Sequence, residues 1–281
     1  MPDPIATPFT DELTTTGRDD DSPVLIDATQ SGVVILTLNR PKKKNAFGPE
    51  LIYALSEAFE TLHGADHVRA VFLRGAGTAF SAGADLNWMA ESANWLEDDN
   101  REDAMRLAVM LKKLNDLPQL TVALVDGPAY GGGAGLVAAC DLAVATEGAT
   151  FAFSEVRLGL TPATISPYVV RAVGPRNAKV LFATARSFTA EDALKWGLIQ
   201  EIVPDAAAFG PLVAVLGAAM RDCAPGAVAE AKALVDVVAE RTIDHSLLEY
   251  TAHAIARRRG SEEGREGVAA FLEKRKPDWA E

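Results

Sequence analysis

Two groups of residues have the types and spacing to do chemistry. The first is Gly131-Gly132-Gly133, which follows an apolar, β-branched run at 120–125 and the turn signal Asp126-Gly127-Pro128. Stiff Val and Thr side chains suit a pleated strand. Glycines at a strand-to-helix turn let a ligand approach the backbone where any Cβ would collide. A helix starting there, through Leu136-Val137-Ala138-Ala139, aims free N–H groups and the positive end of its dipole at that ligand. The second is Glu155, a lone carboxylate after the apolar Phe151-Ala152-Phe153-Ser154. Partial burial would raise its pKa towards neutrality, as a general acid or base requires. Together they describe a backbone pocket that stabilises an anion, with one proton-transfer group beside it.

Each feature also has a plainer reading. The glycines could serve helix packing or a dinucleotide loop, although the GxGxxG spacing and a following strand-end acid are missing. Glu155 could be an ordinary loop acid. Asp85 could simply cap a short helix at 86–89, which is compatible with holding the neighbouring Ala84 loop in shape. Lys42-Lys43-Lys44 would in most proteins be a solvated loop. His63, His67, His245 and His253 have no convergent partners in sequence and are read as structural or surface residues.

The elements that must position these groups follow from periodicity. Strands are expected at 33–38, ended by Pro41, and at 70–73, 120–125, 141–146 and 198–203. A helix over 49–63 has Gly48 as cap, Pro49 as first residue and Leu51, Leu55, Ala58, Phe59 and Leu62 on one side. Residues 91–101, polar and acidic, are expected to form a mobile loop before a helix at 104–114. Helices follow at 175–185 and after a capping-box-like Thr189-Ala190-Glu191-Asp192 that stops at Gly197. Past residue 205 only helices are expected, at 206–220, 227–240, 245–258 and 261–274. Strand and helix alternate through the first half, which predicts an α/β fold of right-handed units around a largely parallel sheet. The division is a disordered acidic tail (1–23), a core (24–205) and a helical region for assembly and site closure (206–281).

Composition narrows the partners. The chain has 281 residues, 48% apolar and 23% charged, with net charge −12 at pH 7. That charge argues against nucleic acid, and no apolar run reaches the roughly 20 residues of a membrane span. Residues 1–23 lack the features of a signal or transit peptide, so a cytoplasmic location is expected. Cys140 and Cys223 offer neither a disulfide framework nor metal spacing. Against this acidic background, two basic clusters are notable: Arg40 with Lys42-Lys43-Lys44, and Lys274-Arg275-Lys276.

An ordered set of short motifs carries a family resemblance. It comprises Leu38-Asn39-Arg40-Pro41 with Asn45-Ala46, Phe80-Ser81-Ala82-Gly83-Ala84-Asp85-Leu86, Gly127-Pro128-Ala129-Tyr130-Gly131-Gly132-Gly133, Cys140-Asp141-Leu142-Ala143 and Phe271-Leu272-Glu273-Lys274-Arg275. The chain resembles the enoyl-CoA hydratase/isomerase (crotonase) superfamily from residue 24 to 281. The resemblance implies a spiral of ββα units with C-terminal helices that build a homotrimer or hexamer. It implies an acyl-CoA thioester substrate and no separate cofactor, since coenzyme A is part of the substrate. Its carbonyl oxygen would lie between the N–H groups of Ala84 and Gly132, with Glu155 as catalytic acid/base. Lys42, Lys44, Ala46, Ala82, Asp85 and Gly131 would contact the substrate. Phe271 and Lys274 would close over the coenzyme A nucleotide, often that of a neighbouring subunit.

One position departs from the pattern. Hydratases of the family carry a first glutamate three residues after Gly132, and here that residue is Gly135. The runs Ser81 to Met89, Tyr130 to Leu136, Phe153 to Leu160 and Pro162 to Val170 are similar to the bacterial methylglutaconyl-CoA hydratase branch, which shares that glycine. The implied reaction is reversible hydration of a branched, carboxylated enoyl-CoA in leucine or related isoprenoid breakdown. A double-bond isomerase using the single glutamate, or an inactive coenzyme A-binding scaffold, would fit the same residues.

Overall fold

The run Val33 to Leu38 has no polar face, and its surroundings explain why. The computed structural model describes residues 13–14, 21–239 and 241–280. Its main sheet contains β1 (Leu13–Thr14), β2 (Val24–Thr29), β3 (Val33–Leu38), β4 (Ala70–Gly75), β5 (Leu120–Val125), β7 (Leu142–Thr146) and β10 (Glu201–Val203), hydrogen-bonded in that order. Strands β3, β4, β5, β7 and β10 run parallel, and β1 and β2 are added antiparallel at one edge. A small second sheet joins β6 (Pro128–Tyr130), β8 (Thr150–Ala152) and β9 (Phe188–Thr189).

Successive side chains of the central strands enter two different cores. Val34, Leu36, Leu38, Val71, Leu73, Ala123 and Val125 join the larger one. Val33, Ile35, Ala70, Phe72, Val122 and Leu124 join the smaller. This is the period-2 alternation of a parallel sheet covered on both faces. On the larger side lie α1 (Pro49–His63), α3 (Glu97–Asn115), α4 (Gly132–Ala139) and α5 (Ser166–Thr184). On the smaller side, α7 (Phe209–Arg221) buries Phe209 and Val213. The cap of α1 is Gly48, as expected, with no side-chain bond. Packing of Leu51, Ile52, Leu55, Ala58, Phe59 and Leu62 therefore holds this helix. Each large buried side chain contributes about 1.5–3 kcal/mol, against ~1 kcal/mol for a good cap.

Three expectations about elements need correction. Residues 91–101 are not a loop: α2 (Leu86–Ser92) runs into them and α3 begins at Glu97. Glu97, Asp98 and Asp99 occupy the first turn of α3, where carboxylates favour the helix dipole. The helix expected from 175 starts at Ser166 and is broken at Gly174, with φ +75° and ψ 157°. Of the strand expected at 198–203, only Glu201–Val203 pairs, beside β7. The rest turns through Gly197 after α6 (Ala190–Trp196).

Beyond α7 come α8 (Pro225–Val238), α9 (His245–Arg259) and α10 (Glu262–Glu273), so the helical C-terminal region is present. No single helix among the described residues is long and apolar enough to cross a membrane. Most of the tail expected to be disordered, residues 1–12 and 15–20, lies outside the described residues. Leu13–Thr14 within it pairs with Thr29 and Ala28. Cys140 and Cys223 are both free thiols.

Candidate active site

The functional candidates collect where the parallel strands end. The connections after β3, β4, β5 and β7 carry residues 39–47, 76–85, 126–131 and 147–155 respectively, the last two including β6 and β8. In open α/β sheets this carboxyl edge is where ligands bind.

Backbone and buried polar bonds lock the first two loops together. Asn45, fully buried and at φ +54°, accepts from the Arg40 N–H and donates to the carbonyls of Ala76 and Ala79 at 2.9 and 2.8 Å. The Ser81 hydroxyl donates to the Asn45 carbonyl at 2.8 Å. Phe47 N–H donates to Gly83 O at 2.7 Å, and Asp85 N–H to Phe47 O at 2.6 Å. Because these bonds use the groups flanking Ala84 in an isolated bridge to Phe47, its own N–H faces away from Phe47. Ala84 is exposed there.

A charge cluster braces the same loops. The Asp85 carboxylate accepts from Arg40 and Lys43, both at 2.9 Å, and caps α2 through the Asn87 N–H. The Lys43 ammonium, with the Asn87 N–H and Arg40 guanidinium also bonded, holds the Asp85 pKa down to about 2 despite burial. Arg40 also donates to the Ala46 carbonyl at 2.5 Å. Asp85 is thus a cap that also fixes the Ala84 loop, its carboxylate bonded to Arg40, Lys43 and the Asn87 N–H. Of the lysine run, the structure commits Lys43 to Asp85 and leaves Lys42 and Lys44 exposed. Ala46 is buried, and Ala82 donates its N–H to Lys44 O.

The glycine turn meets this loop backbone to backbone. Gly131 adopts φ +50° and ψ −118° before α4 and donates to Ala152 O at 2.9 Å. Gly132 is the first residue of α4, so its N–H has no partner inside the helix. A Cβ on Gly83 would stand 3.3 Å from Tyr130 O, and one on Gly131 3.8 Å from the Gly83 Cα. One on Gly132 would stand 3.2 Å from the Phe47 ring. The Ala84 and Gly132 donors therefore belong to adjoining stretches of chain, packed too closely for side chains between them.

Glu155 completes the group. It opens a short 3₁₀ turn, Glu155–Leu158, that ends at Gly159 in the left-handed region. Its Oε1 lies 3.2 Å from where a Cβ on Gly131 would stand. Its Oε2 is buried with no hydrogen-bond partner among the described residues. Burial raises its pKa above the ordinary glutamate value. A carboxyl group that is costly to ionise, set beside a helix N-terminus, can exchange a proton with a bound molecule.

The enoyl-CoA hydratase/isomerase family model matches residues 28–281. The chain belongs to the enoyl-CoA hydratase/isomerase family. An enoyl-CoA hydratase structure from Shewanella pealeana is 39% identical with a TM-score of 0.87, covering 92% of this chain and 96% of that one. The structure of Pseudomonas aeruginosa AtuE is 36% identical with a TM-score of 0.86, covering 92% and 100%. An enoyl-CoA hydratase of Alternaria alternata is 32% identical over 245 residues, 86% of this chain and 79% of its own length. The fold is thus the crotonase fold, and an enoyl-CoA hydratase/isomerase-type enzyme acting on acyl-CoA is supported.

Two residues expected at the substrate lie elsewhere in the single chain. Phe271 and Lys274 are exposed on and just after α10. Trp279, five residues past Lys274, receives a bond from Arg69 at the opening of β4, the opposite end of the sheet. The basic cluster is partly neutralised as well, because Arg275 pairs with Glu266 and Glu273. Sequence reading missed Arg40, Asn45 and Phe47 as site-building residues. Asn45 beside a lysine run after a strand was a signal for a left-handed turn; the pairing of Arg40 with Asp85, 45 residues away, gave none.

Proposed function

We propose that the chain catalyses reversible hydration of an enoyl-CoA thioester, specifically a branched, carboxylated one such as 3-methylglutaconyl-CoA. The observation that carries this reading is the placement of the Glu155 carboxyl against the Gly131-Gly132 turn, which packs on the Gly83-Ala84 loop. The thioester oxygen would accept from the N–H groups of Ala84 and Gly132. These donors bind the enolate oxygen more tightly than the neutral carbonyl, which lowers the barrier. In hydration, the water oxygen bonds to C3 as an O–H bond breaks, Glu155 takes the proton, and the enolate regains a proton at C2 through the same carboxyl. Dehydration is the reverse. Arg157, exposed in the 3₁₀ turn that begins with Glu155, would offset the charge of a distal carboxylate. Lys42 and Lys44 would meet the coenzyme A phosphates.

A double-bond isomerase is the second reading, favoured by the single acid and the absence of a side chain at Gly135. A panel of enoyl-CoA thioesters separates the two. Hydration removes the conjugated thioester absorbance, with fastest loss expected for 3-methylglutaconyl-CoA. Isomerase action alone would convert β,γ-enoyl-CoA to the conjugated form and leave that form unhydrated, overturning the first reading.

Assembly belongs to the same proposal. Val268, Phe271 and Leu272 of α10 are 59%, 83% and 73% exposed, a strip of apolar surface that a homotrimer or hexamer would cover. In it Phe271 and Lys274 would reach a neighbouring subunit's site. Light scattering should give a trimer or hexamer. Deleting residues 271–281 should raise KM more than it lowers kcat. A monomer with unchanged KM after truncation would contradict this part.

A further inference from the structure

Among the described residues two charged side chains are buried, Asp85 and Asp103, and both bear on α2. That helix is seven residues long and buries none of them fully. Asp85 caps its first turn through the Asn87 N–H. Trp88, the third residue of α2, packs against the larger core. Its Nε1 is buried with no hydrogen-bond partner among the described residues.

Asp103 stands where an apolar residue is expected. It shares the inward side of α3 with Leu107, Met110, Leu111 and Leu114, at the spacing of one helical face. Its ion pair is with Arg106 at 3.5 Å, which is 63% exposed. That is weak compensation for a buried carboxylate. Burial raises the Asp103 pKa, while Arg106 and then the Trp88 side chain lower it. The indole is thus near enough to stabilise the carboxylate without being in hydrogen-bond geometry. A buried donor and a buried acceptor on consecutive helices gain by pairing, because each has given up its water.

Trp88 lies in the same helical turn as the Asp85 cap, and Ala84 immediately precedes that cap. Fixing the indole therefore fixes the start of α2 and the Ala84 N–H beside it. We propose that Asp103 is a positioning residue, whose carboxylate accepts from the Trp88 Nε1–H when a thioester is bound and so holds the Ala84 donor in place through α2. The inference rests on the acyl-CoA reading above and deepens it by assigning the support of one donor.

The test reads C2 proton exchange of saturating butyryl-CoA in D₂O, with calorimetric affinity for the same thioester. Asp103→Leu keeps a similar shape but cannot accept the indole N–H. Exchange should fall about 10-fold, less than the 10²–10³-fold of losing a donor outright, with affinity nearly unchanged. Its melting temperature should hold or rise, since a poorly paired buried charge is gone. Asp103→Asn still offers an oxygen and should keep at least half of the wild-type rate. Trp88→Phe removes the N–H from the other side and should match Asp103→Leu, the double variant being no slower than either. The Trp88 indole proton resonance, assigned by its loss in Trp88→Phe, should move downfield on butyryl-CoA binding in wild type and stay in Asp103→Leu. Wild-type exchange by Asp103→Leu, losses that multiply in the double variant, or a melting temperature that falls along with turnover would each overturn the proposal. A wild type that neither binds butyryl-CoA nor exchanges its protons would instead overturn the acyl-CoA reading, and the proposal with it.

Discussion

The two ends of the parallel sheet are built on opposite principles. At the opening ends of β5 and β7 the charged groups are matched, although the Gln119 Oε1 beside them is buried without a partner among the described residues. Asp141 accepts from the Thr121 N–H and hydroxyl, both at 2.8 Å, and pairs with Lys232 of α8 at 2.6 Å. Lys232 also donates to the carbonyls of Leu117 and Gln119. At the closing ends, Arg40, Lys43, Asn45 and Asp85 are as thoroughly paired. Yet what they frame is not: Glu155 Oε2 is buried without a partner, and the Gly132 N–H opens a helix. A buried, unpaired carboxyl costs free energy. A fold that satisfies Asp141 at one end and leaves Glu155 bare at the other keeps the second for use, at the expense of stability.

Breaking the unmatched end should give the largest effect on chemistry. Glu155→Gln should lower kcat about 10²–10⁴-fold with little change in thioester affinity, read by steady-state kinetics and calorimetry. It should also sharpen the stability contrast. The folded-state pKa of Glu155 is raised by burial, so its protonated form is favoured and the cost of ionising grows as pH rises through that folded value. Relative to the glutamine variant, wild type should lose melting temperature from acid to neutral pH. A variant keeping more than half of wild-type turnover would exclude Glu155 as the acid/base.

Next in size is the backbone pocket. Gly132→Val would press a branched side chain into Phe47, since even a Cβ stands 3.2 Å from that ring. We expect kcat/KM to fall about 10²–10³-fold, the usual result of losing one oxyanion donor, with circular dichroism unchanged. A smaller loss is expected from the brace. Asp85→Asn keeps the α2 cap but unpairs Arg40 and Lys43, and should cost about 10-fold in kcat, an order of magnitude below loss of a donor itself. Its pKa, held near 2, implies a stabilisation present above about pH 4 and lost as pH falls towards 2. Acid denaturation of the Asn variant should therefore lack that component.

The matched end should respond in the opposite sense. Lys232→Met removes the cation from a partly buried network and leaves Asp141 uncompensated, which destabilises more than an exposed pair would. The melting temperature should fall by several degrees, with turnover per folded molecule unchanged. A loss of turnover at an unchanged melting temperature would break the distinction between the two ends.

Much of both ends was legible in the sequence because local rules agree with the fold. The β-branched run Leu120–Val125, the period of Leu51 to Leu62 in α1, and the glycines that open α4 each have one dominant physical reading. Strands β6 and β8, of three residues each, were not legible, because so short a strand is defined by its partner more than by its own pattern. Nor was β2, where Ile26 is 47% exposed beside Asp27, a broken alternation at the sheet margin. The acidic stretch that opens α3 read as a loop because its charges favour the first turn of a helix and solvent alike. In the site, glycine and Glu155 types could be read directly. The approach of Trp88 to Asp103 depends on how α2 is set beside α3 and has no local signature.

The most direct test of an enolate pocket with one acid avoids any choice of acyl chain beyond a simple saturated one. Butyryl-CoA in D₂O has protons on C2 that exchange only through the enolate, and proton NMR follows their loss. Wild type should catalyse the exchange, and Glu155→Gln should bind the same thioester while slowing it at least 100-fold. Equal exchange by the two proteins, or none by a wild-type protein saturated with butyryl-CoA, would contradict the account.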